Sequence, residues 1–222
     1  MNGLRVTIRL SGAMQRPRRI MHLDGVLSAM RVQQAEDDGD PDPWSVQHDL
    51  PIERYEFGGE WVFKASAFRF ERPREPHLIP MTARTSVVRV AEDIDRGVLA
   101  HRSEAMNRSG GPFKSSMFST HAQWIDCAVA ECVGDADGVR ALLSRLKHFG
   151  GRRSIGLGAV LDVEVEECAA PAWHLRTLPA ESADDPRMTG LLADHAPSTN
   201  ALRAPYWRRT SERMALVPMG LL

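Results

Sequence analysis

Alternating hydrophobic and polar residues open the chain and predict a β-strand. Apolar residues occupy every second position from Leu4 to Leu10, and arginine and threonine lie between them. A period of two places the apolar side chains on one face of a strand and the polar side chains on the other. The pattern therefore predicts a half-buried first strand with a basic and polar outer face that carries Arg5 and Arg9.

Two later segments have helical spacing, with apolar residues at i, i+3, i+4 and i+7. These residues are Leu23, Val26, Leu27 and Met30 in the first segment and Val139, Leu142, Leu143 and Leu146 in the second. The first helix should end before the acidic turn at residues 37–43. Asp135 or Asp137 can cap the start of the second helix, and Gly150 can end it.

Residues 61–70, 124–132 and 159–166 predict three further strands, and prolines and glycines interrupt residues 71–123. The order is strand, helix, strand, insertion, strand, helix, strand. This is the ferredoxin-like βαββαβ (RRM-like) arrangement of an α+β protein. We therefore predict a core at residues 1–168 that contains the insertion 71–123, followed by a C-terminal β extension at residues 169–222.

Composition limits the class of protein. The 222 residues suit one domain or one domain with an appendage. No apolar run approaches the ~18 residues that a membrane span needs, so we expect a soluble, cytoplasmic protein with no membrane partner. The three cysteines, Cys127, Cys132 and Cys168, neither pair evenly nor form a CxxC motif. We therefore expect no disulfide framework and no thiolate zinc site. We assign no metal site and no cofactor to the chain.

The charges are balanced in number but segregated along the chain. There are 28 basic residues, of which only three are lysines, against 29 acidic residues. Residues 1–23 and 138–161 each hold five basic residues and no acid. If the fold brings these two runs together, they could form a phosphate-binding surface. The alternative is that the two runs are unrelated solvated faces. The arginine content would then simply reflect a GC-rich genome.

A glycine-rich loop carries the most specific pattern. Four glycines fall within the nine residues 150–158, together with Arg152 and Arg153, between a predicted helix and a predicted strand. Glycine at such density usually allows another backbone to approach closely. The helix–loop–strand order excludes a Walker loop and a dinucleotide fingerprint, both of which run from strand to helix. The natural ligand is a phosphate backbone that main-chain N–H groups and guanidinium groups bind together.

This loop, Gly-Gly-Arg-Arg-Ser-x-Gly-x-Gly, resembles the signature loop of the RAMP superfamily of CRISPR-associated proteins. The first strand at residues 4–10 and the sequence His-Leu-Asp-Gly-Val-Leu at residues 22–27 are similar to the type IV CRISPR effector subunit that caps the 5′ handle of the guide RNA (crRNA). The resemblance covers residues 1–168 in the order of elements. It implies a non-catalytic crRNA-binding subunit of a type IV ribonucleoprotein effector complex that acts in antiviral defence.

The resemblance also implies partners and site residues. The partners would be the crRNA 5′ handle, a repeated backbone subunit and other subunits of the complex, with target DNA as a further ligand. Insertion 71–123 would be a thumb-like element that contacts phosphates through Arg108 and Lys114. Arg5 and Arg9, on the basic face of the first strand, would be further RNA-binding residues. The loop residues expected to lie against the RNA are Gly150, Gly151, Arg152, Arg153, Ser154, Gly156 and Gly158.

Three alternatives stay open at this point. A crRNA-processing RAMP endoribonuclease could use His22 or His148 as a general acid or base, although His22 also has an obvious structural use at a helix start. A metal-dependent enzyme could use the acids at residues 162–167, which a solvated strand face explains equally well. A ferredoxin-like ligand-sensing or interaction module would share the fold but would not need two arginines in the loop.

One C-terminal motif is ambiguous. Tyr206 and Trp207 lie among four arginines in residues 203–213. Aromatic residues interleaved with arginines can stack bases and bind phosphates. An edge strand that packs its aromatic side chains is the other interpretation.

Overall fold

The structure is a computed structural model that describes residues 1–17, 19–83, 86–98 and 116–221. The chain forms two compact units, Met1–Glu75 with Gln123–Leu222, and Pro76–Ala122. Within the described ranges, no helix is long and apolar enough to cross a membrane.

The helices and strands of the first unit follow one another along the chain with one interruption, where the second unit is inserted. The first unit contains β1 (Asn2–Leu10), α1 (Leu23–Asp37), β2 (Arg54–Phe57), β3 (Glu60–Phe63), β4 (Arg69–Glu71), β7 (Cys127–Gly134), α3 (Ala136–Leu143), β8 (Val160–Glu167), β9 (Leu178–Pro179), β10 (His195–Ala201) and β11 (Glu212–Pro218). The second unit contains β5 (His77–Ala83), α2 (Val87–Asp95) and β6 (Ser116–Ala122). The protein is therefore an α+β protein, as the pattern predicts.

The main sheet has the strand order β4-β7-β1-β8, and all its neighbouring strands are antiparallel. Alternate strands of such a sheet run in the same direction. β1 and β4 are therefore parallel with β7 between them, and β7 and β8 are parallel with β1 between them. Helix α1 lies in the connection from β1 to β4, and α3 lies in the connection from β7 to β8.

The predicted hydrophobic face of β1 forms the centre of the core. Leu4, Val6 and Ile8 are fully buried and belong to one cluster with apolar residues of α1 and α3. Asp135 caps α3, since its carboxylate accepts a hydrogen bond from the Gly138 N–H at 2.7 Å. The helix ends at Leu143 and not near Gly150, because a tight turn follows and His148 then pairs with Ala159.

The strand predicted for residues 61–70 is in fact two strands. β3 pairs with β2 in a hairpin, and β4 joins the edge of the main sheet beside β7. Val62 lies in a second hydrophobic cluster, whereas the next residue, Phe63, lies in the main core. A segment that serves two cores is apolar on both faces, which explains why its alternation is less clean than that of β1.

The C-terminal residues form a three-stranded antiparallel sheet with the order β10-β11-β9. This sheet and the β2–β3 hairpin enclose the second hydrophobic cluster. Its buried members are Tyr55, Val62, Leu178, Met188, Leu202 and Ala215. The C-terminal part of the chain therefore has its own core, which it shares with a hairpin from the N-terminal half.

The second unit consists of an antiparallel ladder and a short helix. β5 and β6 pair from His77 opposite Ala122 to Ala83 opposite Ser116. Ser86 caps α2 by accepting a hydrogen bond from the Arg89 N–H at 3.4 Å. The unit falls within the predicted insertion 71–123, and the predicted phosphate contacts Arg108 and Lys114 lie outside the described residues.

Candidate nucleic-acid interface

The glycine-rich loop is bound to the chain that leaves β1. The N–H of Gly151 donates to the carbonyl oxygen of Gln15 at 2.9 Å, and the N–H of Gly158 donates to that of Ala13 at 2.9 Å. The Phe149 N–H closes the loop on itself by donating to the Gly158 carbonyl oxygen at 2.7 Å. Both ends of the loop are therefore held against residues 11–15, and the two acid-free basic runs meet at this point.

These contacts give a reason within the fold for three of the glycines. Gly150 has a φ of +93°, and a Cβ there would lie 2.6 Å from the Met14 methyl carbon. A Cβ on Gly158 would lie 1.8 Å from the Phe149 carbonyl oxygen. The backbone that approaches Gly150 and Gly158 is thus the protein's own, and the Gln15 side chain lies 2.9 Å from the Cβ position of Gly151. Contact between these glycines and RNA stays a prediction. Gly156 differs, because its φ is +86° and nothing lies within 4 Å of its Cβ position.

The tip of the loop faces solvent. Arg152, Arg153, Ser154 and Gly156 are exposed, and a single 3₁₀ turn spans Arg153–Ile155. Arg152 adopts a left-handed conformation with a φ of 57° and starts this turn. In the part of the chain that the structure describes, Arg153 forms no ion pair. The tip therefore presents an exposed guanidinium group on a base that the glycines hold in place.

The outer face of β1 differs from the predicted basic surface. Arg9 pairs with Asp162 at 3.0 Å and with Glu164 at 2.7 Å, both on the neighbouring strand β8. Arg5 pairs with Glu131 of β7 at 3.0 Å. The interpretation of this face as basic is corrected, since acids from both neighbouring strands neutralise it. RNA contacts by Arg5 and Arg9 stay a prediction, and they would have to compete with these ion pairs.

Glu131 is the buried centre of these charges. Its carboxylate accepts hydrogen bonds from Arg5, from Arg69 at 3.3 Å and from the Ala172 N–H at 2.6 Å. Burial by itself would raise the pKa of Glu131, but the Ala172 N–H and the two guanidinium groups hold this pKa below its ordinary value. Arg5 is therefore part of an ion-pair cluster with Glu131 and Arg69.

A pocket of about 810 Å³ opens beside the glycine-rich loop. It begins at Arg16, the residue after the Gln15–Gly151 bridge. Phe149, the residue before the loop, packs edge-on against Phe68 of the pocket, with ring centroids 4.8 Å apart. The residues that line it are Arg16, Pro17, Arg19, Ile20, Met21, Phe68, Arg69, Phe70, Pro73, Leu175, Asp194, Pro218, Met219 and Gly220.

Apolar and aromatic walls with three arginines and one acid suit a ligand that is part aromatic and part anionic. The guanidinium group of Arg16 lies over the ring of Phe70, 4.9 Å from its centroid. Arg19 and Arg69 have acidic partners in Glu212 and Glu131. Among the described residues Arg16 has no acidic partner, so it is the pocket's available cation.

His22 is a structural residue in this fold. It is only 3% exposed, and its ring stacks on Tyr206 with centroids 4.6 Å apart. Its Nε2 accepts a hydrogen bond from the Thr177 N–H at 3.1 Å. Burial, and then the nearby Arg176 charge, hold the pKa of His22 well below its ordinary value. A ligand on the surface cannot reach this imidazole.

Arg176 explains the helix-opening motif around His22. Its guanidinium group is fully buried and donates to Asp24 at 3.3 Å and to the Tyr206 hydroxyl at 2.9 Å. It also donates to four main-chain carbonyl oxygens, those of Phe63, Ala65, Thr177 and Leu202. Asp24 and His22 therefore bind the C-terminal part of the chain to the start of α1.

The acids of β8 do not form a metal centre in the structure. Both carboxylates nearest Arg9 are engaged in ion pairs with it, and no cluster of three metal-ligating side chains occurs among the described residues. Cys127, Cys132 and Cys168 are free thiols. His148, the other histidine considered for catalysis, is half-buried beside the loop.

Sequence reasoning missed most of the pocket. Arg16 and Arg19 belong to the acid-free run at the start of the chain, so that run is the sequence feature that could have indicated them as pocket residues. Arg69, Phe70 and Met219 come from distant parts of the sequence, and only the folded chain brings them beside Arg16.

An α+β fold with an exposed arginine loop beside an arginine-lined, partly aromatic pocket defines a candidate nucleic-acid-binding protein. Comparison with protein families gives the assignment. The sequence model of the family described as CRISPR type IV associated protein Csf3 matches residues 2–218, and the chain belongs to this family. The resemblance to type IV CRISPR proteins in the sequence is thereby confirmed.

A weakly similar chain is one of several found among solved structures. It occurs in the cryo-EM structure of the Type III-B Cmr-beta bound to cognate target RNA, with a TM-score of 0.36 and 8% identity. The match covers 75% of this chain and 61% of that chain. Among curated proteins nothing matches the chain.

Proposed function

We propose that the protein is a non-catalytic crRNA-binding subunit of a type IV CRISPR ribonucleoprotein effector complex and that it caps the 5′ handle of the guide RNA. Membership of the type IV family supports the CRISPR role. The observation that carries the RNA-binding role is the exposed Arg152–Arg153 tip, which is anchored to residues 13–15 beside the arginine-lined pocket.

The proposal includes a ferredoxin-like core. Its support is the strand order β4-β7-β1-β8. The connection through α1 joins the parallel strands β1 and β4, which have β7 between them. The connection through α3 joins the parallel strands β7 and β8, which have β1 between them. This is the split βαβ arrangement, repeated twice and interleaved. The glycine-rich loop then enters β8 beside the central strand β1.

Binding would rely on backbone and shape. The Arg152 and Arg153 guanidinium groups bind phosphates, Arg16 binds a further phosphate, and an unstacked base enters the pocket against Phe70. Arg108 and Lys114 remain the proposed thumb contacts. The repeated backbone subunit, other subunits and target DNA remain the proposed partners.

The proposal excludes a catalytic role, and the burial of His22 supports this. General acid or base catalysis requires a group within hydrogen-bond reach of the substrate. Incubation of the purified chain with repeat RNA tests the point, and we expect no site-specific cleavage. Cleavage that His148→Ala or His22→Ala abolishes would favour the endoribonuclease instead.

A double substitution at the loop tests the RNA-binding role. We expect Arg152→Ala with Arg153→Ala to weaken binding of a labelled handle RNA about tenfold or more. The slope of log K against log salt should fall by about 1.4, because each lost phosphate contact on a single strand removes about 0.7. Fluorescence anisotropy over a salt series measures both quantities.

The matched control is Arg31→Ala with Arg140→Ala, which removes two helix arginines that pair with Asp49 and Asp137. This control should retain the wild-type affinity and slope. If the loop variant also retains both, the loop is not the main phosphate contact and the proposal fails.

Co-purification separates the proposed role from a sensor module. We expect the chain, expressed with its type IV neighbours, to retain nucleic acid and show a raised ratio of absorbance at 260 nm to that at 280 nm. A ligand-sensing or interaction module would purify without nucleic acid.

A further inference from the structure

An exposed tryptophan projects from the loop that precedes β11. Trp207 is 66% exposed, and the next three residues, Arg208, Arg209 and Thr210, are exposed as well. Tyr206, the residue before it, behaves differently, since its hydroxyl donates to Asp24 inside the protein at 2.7 Å. The two aromatic residues of this motif therefore divide between packing and exposure.

The base of this loop is fixed. The Tyr206 hydroxyl also accepts a hydrogen bond from the buried Arg176, and burial raises the pKa of Tyr206 well above its ordinary value. Arg19 donates to the Tyr206 carbonyl oxygen at 2.8 Å. The Arg208 N–H donates to the Pro205 carbonyl oxygen at 3.1 Å. Trp207 is thus held at the surface, and a ligand that stacks on it would not have to order the loop first.

The arginines in and around the loop that carries Trp207 fall into two groups. Arg203 and Arg213 both pair with Glu60, and Arg19 pairs with Glu212. Arg208 and Arg209 form no ion pair within the described residues, and the Arg208 guanidinium lies 5.8 Å from the centre of the Trp207 ring. One exposed aromatic ring beside two available cations is the arrangement that binds single-stranded nucleic acid.

The loop that carries Trp207 also lies next to the pocket. Arg19 lines the pocket and contacts Tyr206, whereas Gln15 pairs with Gly151 of the glycine-rich loop. Gln15 and Arg19 are four residues apart, so their Cα atoms are separated by at most about 14 Å. A single strand can therefore pass from the glycine-rich loop across the pocket to Trp207.

We propose that Trp207, Arg208 and Arg209 form a second nucleic-acid contact, in which an unpaired base stacks on the indole and the arginines bind the adjacent phosphates. This inference rests on the proposed function, because the strand that reaches Trp207 is the one that the glycine-rich loop holds. Tryptophan and arginine also anchor protein interfaces. Continuity with the arginine-lined pocket favours nucleic acid as the occupant.

The test uses the full-length chain and labelled single-stranded oligouridine. We expect Trp207→Ala to weaken binding about tenfold, within the range for loss of one stacked base. Trp207→Phe should retain most of the affinity, because a phenyl ring still stacks. Arg208→Ala with Arg209→Ala should lower the salt slope by about 1.4.

Trp44→Ala is the matched control, since Trp44 is 51% exposed but lies in the acidic segment 37–49. It should bind like the wild type, and thermal unfolding of all variants should match the wild type. The inference is overturned if Trp207→Ala binds oligouridine normally while the Arg152/Arg153 variant does not, a result that leaves the proposed function intact. It is also overturned if Trp207→Ala loses only a protein partner. If the wild-type chain binds no RNA, the proposed function itself fails.

Discussion

Arg9 and Arg153 carry the same charge but have different surroundings. The Arg9 guanidinium lies between two carboxylates of β8, whereas Arg153 projects from the loop tip without an acidic partner in the described chain. The acids that neutralise Arg9 are more than 150 positions away in the sequence. Sequence alone could therefore identify both arginines as candidates but could not tell which of them is available to a ligand.

This difference predicts the effect of removing Arg9. We expect the predicted RNA contact of Arg9 to be a weak one, because an ion-paired guanidinium must break its pairs before it can bind a phosphate. Arg9→Ala should therefore change RNA affinity less than about threefold. Stability should change little, as for other exposed ion pairs. Anisotropy and urea unfolding measure the two effects. A loss of affinity equal to that of the Arg152/Arg153 variant would contradict the assignment.

The burial of His22 predicts a pH dependence of stability. The pKa of His22 is lowered in the folded state, so the unfolded chain binds a proton at a pH at which the folded chain does not. The free energy of unfolding should therefore decrease as the pH is lowered from about 7 to about 5. His48, His174 and His195 have lowered pKa values and contribute with the same sign.

Substitution isolates the contribution of His22. His22→Gln should reduce the slope of unfolding free energy against pH, measured by urea titration at a series of pH values. An unchanged slope in His22→Gln would show that His22 does not remain neutral in the folded protein.

At the scale of elements, one buried arginine joins the C-terminal sheet to the N-terminal core. Arg176 binds Asp24 at the start of α1, and the Leu202 carbonyl oxygen and the Tyr206 hydroxyl in the C-terminal part. A fully buried guanidinium group is tolerated only while its charge and its donors are satisfied. The C-terminal residues are therefore an integral part of the fold.

Removal of the counterion predicts a large loss of stability. Asp24→Ala leaves the Arg176 charge buried without its carboxylate and should cost about 3–5 kcal/mol in unfolding free energy. Asp49→Ala, which removes an exposed partner of Arg31, should cost no more than about 1 kcal/mol. Urea unfolding of both variants checks this, and equal costs would argue against Arg176 as the link.

The elements that the sequence predicted well are those with one periodic face. β1, α1 and α3 each bury one regular stripe in the main core, so their spacing identified them. Residues 61–70 divide between two cores, which obscured the break between β3 and β4. The role of Arg176 could not be predicted, because its partners lie over 100 positions away or in the irregular C-terminal segment.

For the whole molecule, a net charge of −1 conceals a division of charge. On the outer face of β1, Arg5 and Arg9 pair with acids, whereas among the described residues Arg16, Arg153, Arg208 and Arg209 form no ion pair. Such a protein would bind a phosphate backbone along one track and would not bind polyanions indiscriminately. The two acid-free runs that the sequence singled out meet where Gln15 pairs with Gly151.

Crosslinking within the assembled complex tests the central claim most directly. Guide RNA with 4-thiouridine in either the 5′ handle or the spacer would be assembled with the full chain and its type IV neighbours, irradiated, and mapped by mass spectrometry. The account predicts crosslinks from handle positions to the loop at residues 150–158, and few from spacer positions. Crosslinks from the spacer alone, or none to this chain, would contradict it.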